Sequence, residues 1–320
     1  MSPFSGLATR LGPLKAVFFM KISIVGSGAV GLFYGALLQR SGHEVAYLMR
    51  SDLEVARRDG IRVVQADGEF RLRDASVFGE TSEIGVCDLV VVALKATSNE
   101  ALADLLPPLV GKGTRLLTLQ NGLGNDRLLA ELFPENKVFG GLCFVCLNRI
   151  SPAVVENFMP GSISIGPREA GDAEEAQELV ELFRAAGVKT RFEPNLQLVQ
   201  WKKLVWNVPF NGLTVAAGGV CTDAIVESPE LLEESKALMG EIIAGANALG
   251  FGFEQSFIDY QVKITIPMGA YRPSSMIDYV EGRPVEVEAI WGEPLRQAKA
   301  LGVAMPKLEL LYALLKRLCG

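Results

Sequence analysis

The sequence predicts an α/β domain built on a parallel sheet covered on both faces, followed by a separate all-helical domain. Three observations predict it. Short β-branched apolar runs alternate with helical patterns through the first half of the chain, and strand signals nearly vanish after about residue 194. A length of 320 residues suits about two domains of ordinary size. Hydrophobic residues make up 49% and charged residues 21%, a balance that supports a large core and speaks against disorder.

The pattern begins abruptly at Met20-Lys21-Ile22. Residues 1–19 contain Arg10 and Lys15 but no acid, and their apolar stretch is too broken for a secretory signal. They are read as an N-terminal extension or a non-native start, with a transit peptide as the alternative. Residues 21–26 then form a β-branched run, 29–41 an amphipathic helix and 43–49 a second strand. Further apolar strands fall at 88–94 and 115–120, β character returns at 137–147 and 162–166, and a helix with acidic residues spans 173–186. Helical periodicity dominates from there: 195–211, 229–248, 254–268, 287–301 and 307–318. The expected division is therefore 20–193 and 194–320.

The formal net charge is −6 and no block of Lys and Arg stands out. Nucleic acid and anionic membrane are thus excluded as main partners, while a local basic pocket for a phosphate is not. No apolar run reaches the roughly 18 residues of a spanning helix. Among five cysteines, Cys143 and Cys146 form a C-x-x-C. It lies within an apolar strand with no second cysteine pair, and His43 is the only histidine, so these thiols read as packing groups rather than metal ligands. The composition suits a reduced, cytoplasmic protein. The apolar helical faces suffice for internal packing or for a homodimer.

Gly26-Ser27-Gly28-Ala29-Val30-Gly31 is a G-x-G-x-x-G turn set directly after a strand and opening a helix. The first glycine permits the tight turn, the second lets backbone approach a pyrophosphate, and the third lets helix pack on sheet. Free N–H groups at the helix N-terminus favour phosphate. This is the Rossmann arrangement for a dinucleotide. The second strand ends not in an acid but in Arg50, followed by Ser51. A guanidinium there suits the 2′-phosphate of NADP, so NADPH is expected. Asp52, the one acid that could replace it at the ribose, lies beyond the strand end. Lys95 and Asn121 follow two further strands at the sheet edge where ligands of open α/β sheets bind.

Lys203, Asn207 and Asn211 are spaced i, i+4, i+8 and share a helix face at about 100° per residue. They make a polar stripe in an apolar segment, which calls for a polar partner or a ligand. Pro209 lies inside it and is expected to bend the helix.

With this stripe the sequence resembles the ketopantoate reductase (2-dehydropantoate 2-reductase) family, from Met20 nearly to the C-terminus. The motifs run in the family's order: the Gly26–Gly31 turn, Arg50, Leu94-Lys95-Ala96, Gln120-Asn121-Gly122-Leu123-Gly124, Trp201-Lys202-Lys203-Leu204 with Asn207 and Asn211, Ser274-Ser275-Met276, and Glu286-Val287-Glu288 before Gly292. The resemblance implies a helical domain like the C-terminal one of 6-phosphogluconate dehydrogenase. It implies NADPH-dependent reduction of ketopantoate to pantoate, a step toward coenzyme A. Lys203 would be the general acid and Glu286 the carboxylate holding the substrate hydroxyl near it. Ser275 would bind the substrate carboxylate, Asn207 and Asn211 would orient substrate, and Asn121 and Lys95 would line the cofactor and reacting centre. An ammonium beside the carbonyl is chemically apt, since hydride addition creates an alkoxide that needs a proton.

Two departures are visible. Arg272 precedes Ser274-Ser275-Met276 where Asn or His is common nearby, and Thr97-Ser98 follows Ala96 where an aromatic and a glutamine are common. They leave room for another small 2-oxo acid or a carboxyalkyl amino acid as substrate. A non-catalytic NADP(H)-binding regulator is the third alternative.

Overall fold

In the computed structural model, β1 (Lys21–Val25) lies inside a ten-stranded sheet. The structure describes residues 19–320, so the extension expected at 1–19 lies, Phe19 apart, outside the described residues. The chain continues through α1 (Ala29–Arg40), β2 (Glu44–Leu48), α2 (Leu53–Asp59), β3 (Ile61–Gln65), β4 (Gly68–Leu72), β5 (Ser76–Phe78) and β6 (Leu89–Val92). A 3-10 segment Ala96–Ala101 and the short α3 (Leu102–Leu105) lead to β7 (Arg115–Thr118), and α4 (Asn125–Leu132) leads to β8 (Val138–Ser151). Then come β9 (Val154–Pro167), α5 (Ala173–Ala185) and β10 (Thr190–Phe192).

The strand order is β4-β3-β9-β8-β7-β6-β1-β2-β5, with β10 pairing on β9. Around β1 every pairing is parallel. Alternation along the strands serves two cores: Ile22, Ile24, Leu89 and Val91 pack with α1 and α5, whereas Val25, Val90 and Val92 face Leu102, Leu106 and Leu129. Full burial of such a side chain stabilises the fold by roughly 1.5–3 kcal/mol.

The sheet is not wholly parallel, and this corrects the sequence expectation. The runs at 137–147 and 162–166 are parts of two 14-residue strands, β8 and β9, that form one long antiparallel hairpin. The strands β3, β4, β5 and β10 were likewise not expected. β4 is mostly exposed or half-buried, so its residues lack the apolar run that marks an interior strand.

After Phe192 the described residues form helices only: α6 (Leu196–Ala216), α7 (Thr222–Glu227), α8 (Pro229–Ala248), α9 (Ser256–Thr265), α10 (Ser274–Val280), α11 (Glu293–Ala300) and α12 (Pro306–Cys319). The Asn195 side chain caps α6 by accepting from Leu198 N–H at 3.0 Å. The helix runs on past Asn211 to Ala216 with Pro209 inside it. Residues 287–301, expected as one helix, begin with a π-helical turn Glu288–Gly292 before α11. Trp201, Phe210, Trp291, Met239, Ile242 and Leu311 make the helical core.

Candidate active site

The Gly26–Gly31 turn joins β1 to α1. Gly26 has φ +106°, and a Cβ there would stand 2.4 Å from Leu94 N. A Cβ on Gly31 would stand 2.0 Å from Gly26 O. Both glycines are thus demanded by the chain itself. Gly28 is different: a Cβ there meets nothing within 4 Å. Backbone at this point borders open space at the start of α1, the form of a cradle for a phosphate. Ser27 Oγ donates to Leu48 O at 2.8 Å, tying the turn to the end of β2. Ala29 and Val30 supply the first helical turn and are half-buried.

Arg50 stands two residues beyond β2, exposed and without a partner among the described residues. Asp52 is buried and fully engaged. It accepts from Arg149 Nη1 at 3.1 Å and Ala153 N at 2.9 Å, and from Ser51 Oγ at 2.9 Å. It pins the tip of the β8–β9 hairpin and is not free to hold a ribose.

Lys203, on α6, crosses to the sheet. Its Nζ donates to Asn121 Oδ1 at 2.8 Å and to the Cys143 carbonyl at 3.0 Å. The Phe144 ring centroid lies 5.4 Å from Nζ. Burial draws the Lys203 pKa below its ordinary value, while nearby Cys143 and Glu286 push it back up. A cavity next to it is lined by Asn121, Asn207, Lys203, Gln120, Asn125 and Gln200, among others. Asn207 is buried, with no hydrogen bond to the described residues. One turn on, Asn211 Oδ1 accepts from Ser275 N at 3.0 Å, and both residues are buried.

Asn121 owes its place to its loop. Gly122 has φ +83°, and a Cβ would meet Ala289 O at 2.3 Å. Leu123 N donates to that same carbonyl at 2.9 Å, and the Leu123 side chain enters the helical core. This Asn-Gly pair is therefore the joint between sheet and helices.

Glu286 is 4% exposed and accepts from Ala96 N at 2.8 Å. Lys95 Nζ lies 3.8 Å from its other carboxylate oxygen and is paired with buried Asp278 on α10, which also accepts from Arg283 Nε at 3.0 Å. Lys95 thus faces two carboxylates of the helical half. Sequence reading missed Asp278; its position three residues after Ser275 places it on the same helix, but only the fold brings Lys95 to it.

Of the C-x-x-C thiols, Cys143 packs against the sheet core and Cys146 Sγ lies 3.8 Å from Tyr271 Oη. Cys143 is free, hydrogen-bonded with Tyr34, and its thiol is pushed up to about 11 by burial. His43 accepts from Met20 N at 3.3 Å, beside the N-terminal end of β2, and burial lowers its pKa.

Comparison with known proteins fits this geometry. Residues 22–170 match the family described as ketopantoate reductase PanE/ApbA, and residues 195–318 match its C-terminal family. The chain is 39% identical over 305 residues to a 2-dehydropantoate 2-reductase of Nostoc sp., covering 94% of this chain and 95% of that one. It is 42% identical, with a TM-score of 0.87, to the crystal structure of a 2-dehydropantoate 2-reductase from Geobacter metallireducens, over 93% of this chain and 99% of the other. A D-mandelate dehydrogenase solved with NADH and anilino(oxo)acetate shares the fold, at a TM-score of 0.86 and 23% identity, over 93% of this chain and 98% of that one. No helix among the described residues is long and apolar enough to cross a membrane. With both halves matched, this chain belongs to the ketopantoate reductase family of oxidoreductases acting on a CH–OH group.

Proposed function

We propose that this protein reduces ketopantoate to (R)-pantoate with NADPH, in the route to coenzyme A. Residues 20–193 hold the dinucleotide and residues 194–320 supply the proton donor and most of the substrate contacts. The observation that carries the reading is the state of Lys203. An ammonium has three donor hydrogens. Two are taken by Asn121 Oδ1 and the Cys143 carbonyl. The third is left for a ligand beside Asn207, which lines the same small cavity.

The Gly28 cradle and the free Arg50 fit NADPH, which supplies the hydride when bound. The chain's own residues do the rest. Lys203 Nζ donates its third hydrogen to the substrate carbonyl oxygen and passes that proton on as the oxygen gains charge. Its lowered pKa makes the proton easier to give. Glu286 accepts from the substrate hydroxyl with the oxygen that Ala96 does not occupy. Asn207 turns its unpaired amide to the substrate, and Asn211 holds the Ser275 backbone so that its hydroxyl meets the carboxylate.

The test is NADPH oxidation against a panel of 2-oxo acids, repeated with NADH. Turnover dependent on ketopantoate and favouring NADPH is the expected result. Strong turnover with another 2-oxo acid and none with ketopantoate would reassign the substrate. One observation favours that second reading: Arg272 is exposed and has no partner among the described residues, so it is available to a substrate with a further acidic group.

A further inference from the structure

The polar groups around Asn121 form one head-to-tail chain. Thr118 Oγ1 donates to Gln120 Oε1 at 3.1 Å, and Gln120 Nε2 donates to Asn99 Oδ1 at 2.8 Å. Asn99 Nδ2 donates to Asn125 Oδ1 at 2.9 Å, and Asn125 Nδ2 donates to the Asn121 carbonyl at 2.9 Å. Every amide gives in the same direction, an order in which each bond polarises the next.

Asn99 is the only link of this chain that comes from the loop after β6; the others lie on the β7–α4 segment. Its amide oxygen accepts from Gln120 and its amide nitrogen donates to Asn125, at the two ends of the loop between β7 and α4. The two loops so joined grip different ends of the site. The β6 loop holds Glu286 through Ala96 N–H at 2.8 Å. The β7 loop holds Lys203 through Asn121 Oδ1 at 2.8 Å. No covalent path shorter than the β6–β7 connection links them, and the residue that sets their spacing is an uncharged amide outside the cavity.

We propose that Asn99 is a positioning residue for the reduction: it fixes the separation of the Glu286 and Lys203 grips by clamping the two loops that carry them. The inference rests on Lys203 acting as the proton donor. Removing the clamp leaves a donor on Gln120 and an acceptor on Asn125 without partners, and lets the Asn121 loop shift. A displacement of about 1 Å at a reacting group costs up to about 100-fold in rate.

Asn99→Ala and the equal-sized Asn99→Asp, which keeps the acceptor but loses the donor, test this alongside Lys203→Ala. Steady-state rates are measured with NADPH and ketopantoate across pH, with thermal unfolding on the same samples. The expected result is a kcat reduced by about 10-fold or more with KM for NADPH within about twofold. The alkaline limb of the kcat profile should also move to lower pH, because a loosened Asn121 no longer favours the ammonium. A purely structural role would lower the unfolding temperature and leave kcat and limb in place, which overturns the inference. If the alanine variant does not fold, the aspartate variant decides by the same readouts. If Lys203→Ala keeps the wild-type rate, the proposed function fails and the inference with it. If Lys203→Ala abolishes turnover while both Asn99 variants retain rate and limb, the inference alone fails.

Discussion

Lys203 on the first long helix of the C-terminal half donates to Asn121 Oδ1 of the sheet at 2.8 Å, and burial lowers its pKa. As the proposed general acid, Lys203 must be protonated to act, so reduction is expected to fall as pH rises through that lowered pKa, earlier than an ordinary lysine would allow. Lys203→Ala should cut kcat by about 10²- to 10⁴-fold and remove the alkaline limb. A pH–rate profile whose limb survives the substitution would assign the limb, and the acid, to another group.

Glu286 sharpens this prediction. Its charge acts to raise the Lys203 pKa against burial. Glu286→Gln keeps the acceptor that Ala96 N–H uses but removes the charge, so the alkaline limb should move to still lower pH, with KM for substrate raised as the hydroxyl contact weakens. A limb that moves upward would contradict the sign of this coupling.

Much of this site was legible in the sequence. Periodicity alone puts Lys203, Asn207 and Asn211 on one face of α6, and the glycine spacing places the turn between β1 and α1. Local signals are enough where a helix or a turn imposes the geometry. What was not legible depends on tertiary contact. Asp278 carries no mark until Lys95 meets it from the other half of the chain. Asn121-Gly122 reads as a turn until Ala289 O is found beneath Gly122. The β8–β9 hairpin reads short because Asn148–Ser151 at the end of β8 are exposed and lack the apolar run that marks a strand.

The glycines of the turn should separate fold from binding. Gly26→Ala forces a side chain at φ +106° into Leu94 N, and loss of stability of about 1–3 kcal/mol or more is expected. Gly28→Ala meets open space, so the apoprotein should melt at its normal temperature yet bind dinucleotide poorly. Thermal unfolding and cofactor titration on the two variants check this. Equal melting losses for both would mean that Gly28 serves the chain and not a ligand.

The proposed preference for NADPH rests on Arg50 and Asp52. A ribose-binding acid would favour NADH, but Asp52 is held by Arg149 at 3.1 Å and by Ala153 N at 2.9 Å, and Arg50 is exposed without a partner among the described residues. Charge-assisted bonds to a 2′-phosphate contribute about 1.5–3 kcal/mol. Arg50→Ala should therefore weaken NADPH by roughly 10- to 100-fold while leaving NADH nearly unchanged. Asp52→Ala should act differently, lowering thermal stability by freeing the hairpin tip without improving NADPH over NADH. Dissociation constants for both dinucleotides on both variants give the answer. Parallel loss of NADPH and NADH in Arg50→Ala would remove the basis for preferring NADPH, because only the 2′-phosphate distinguishes the two.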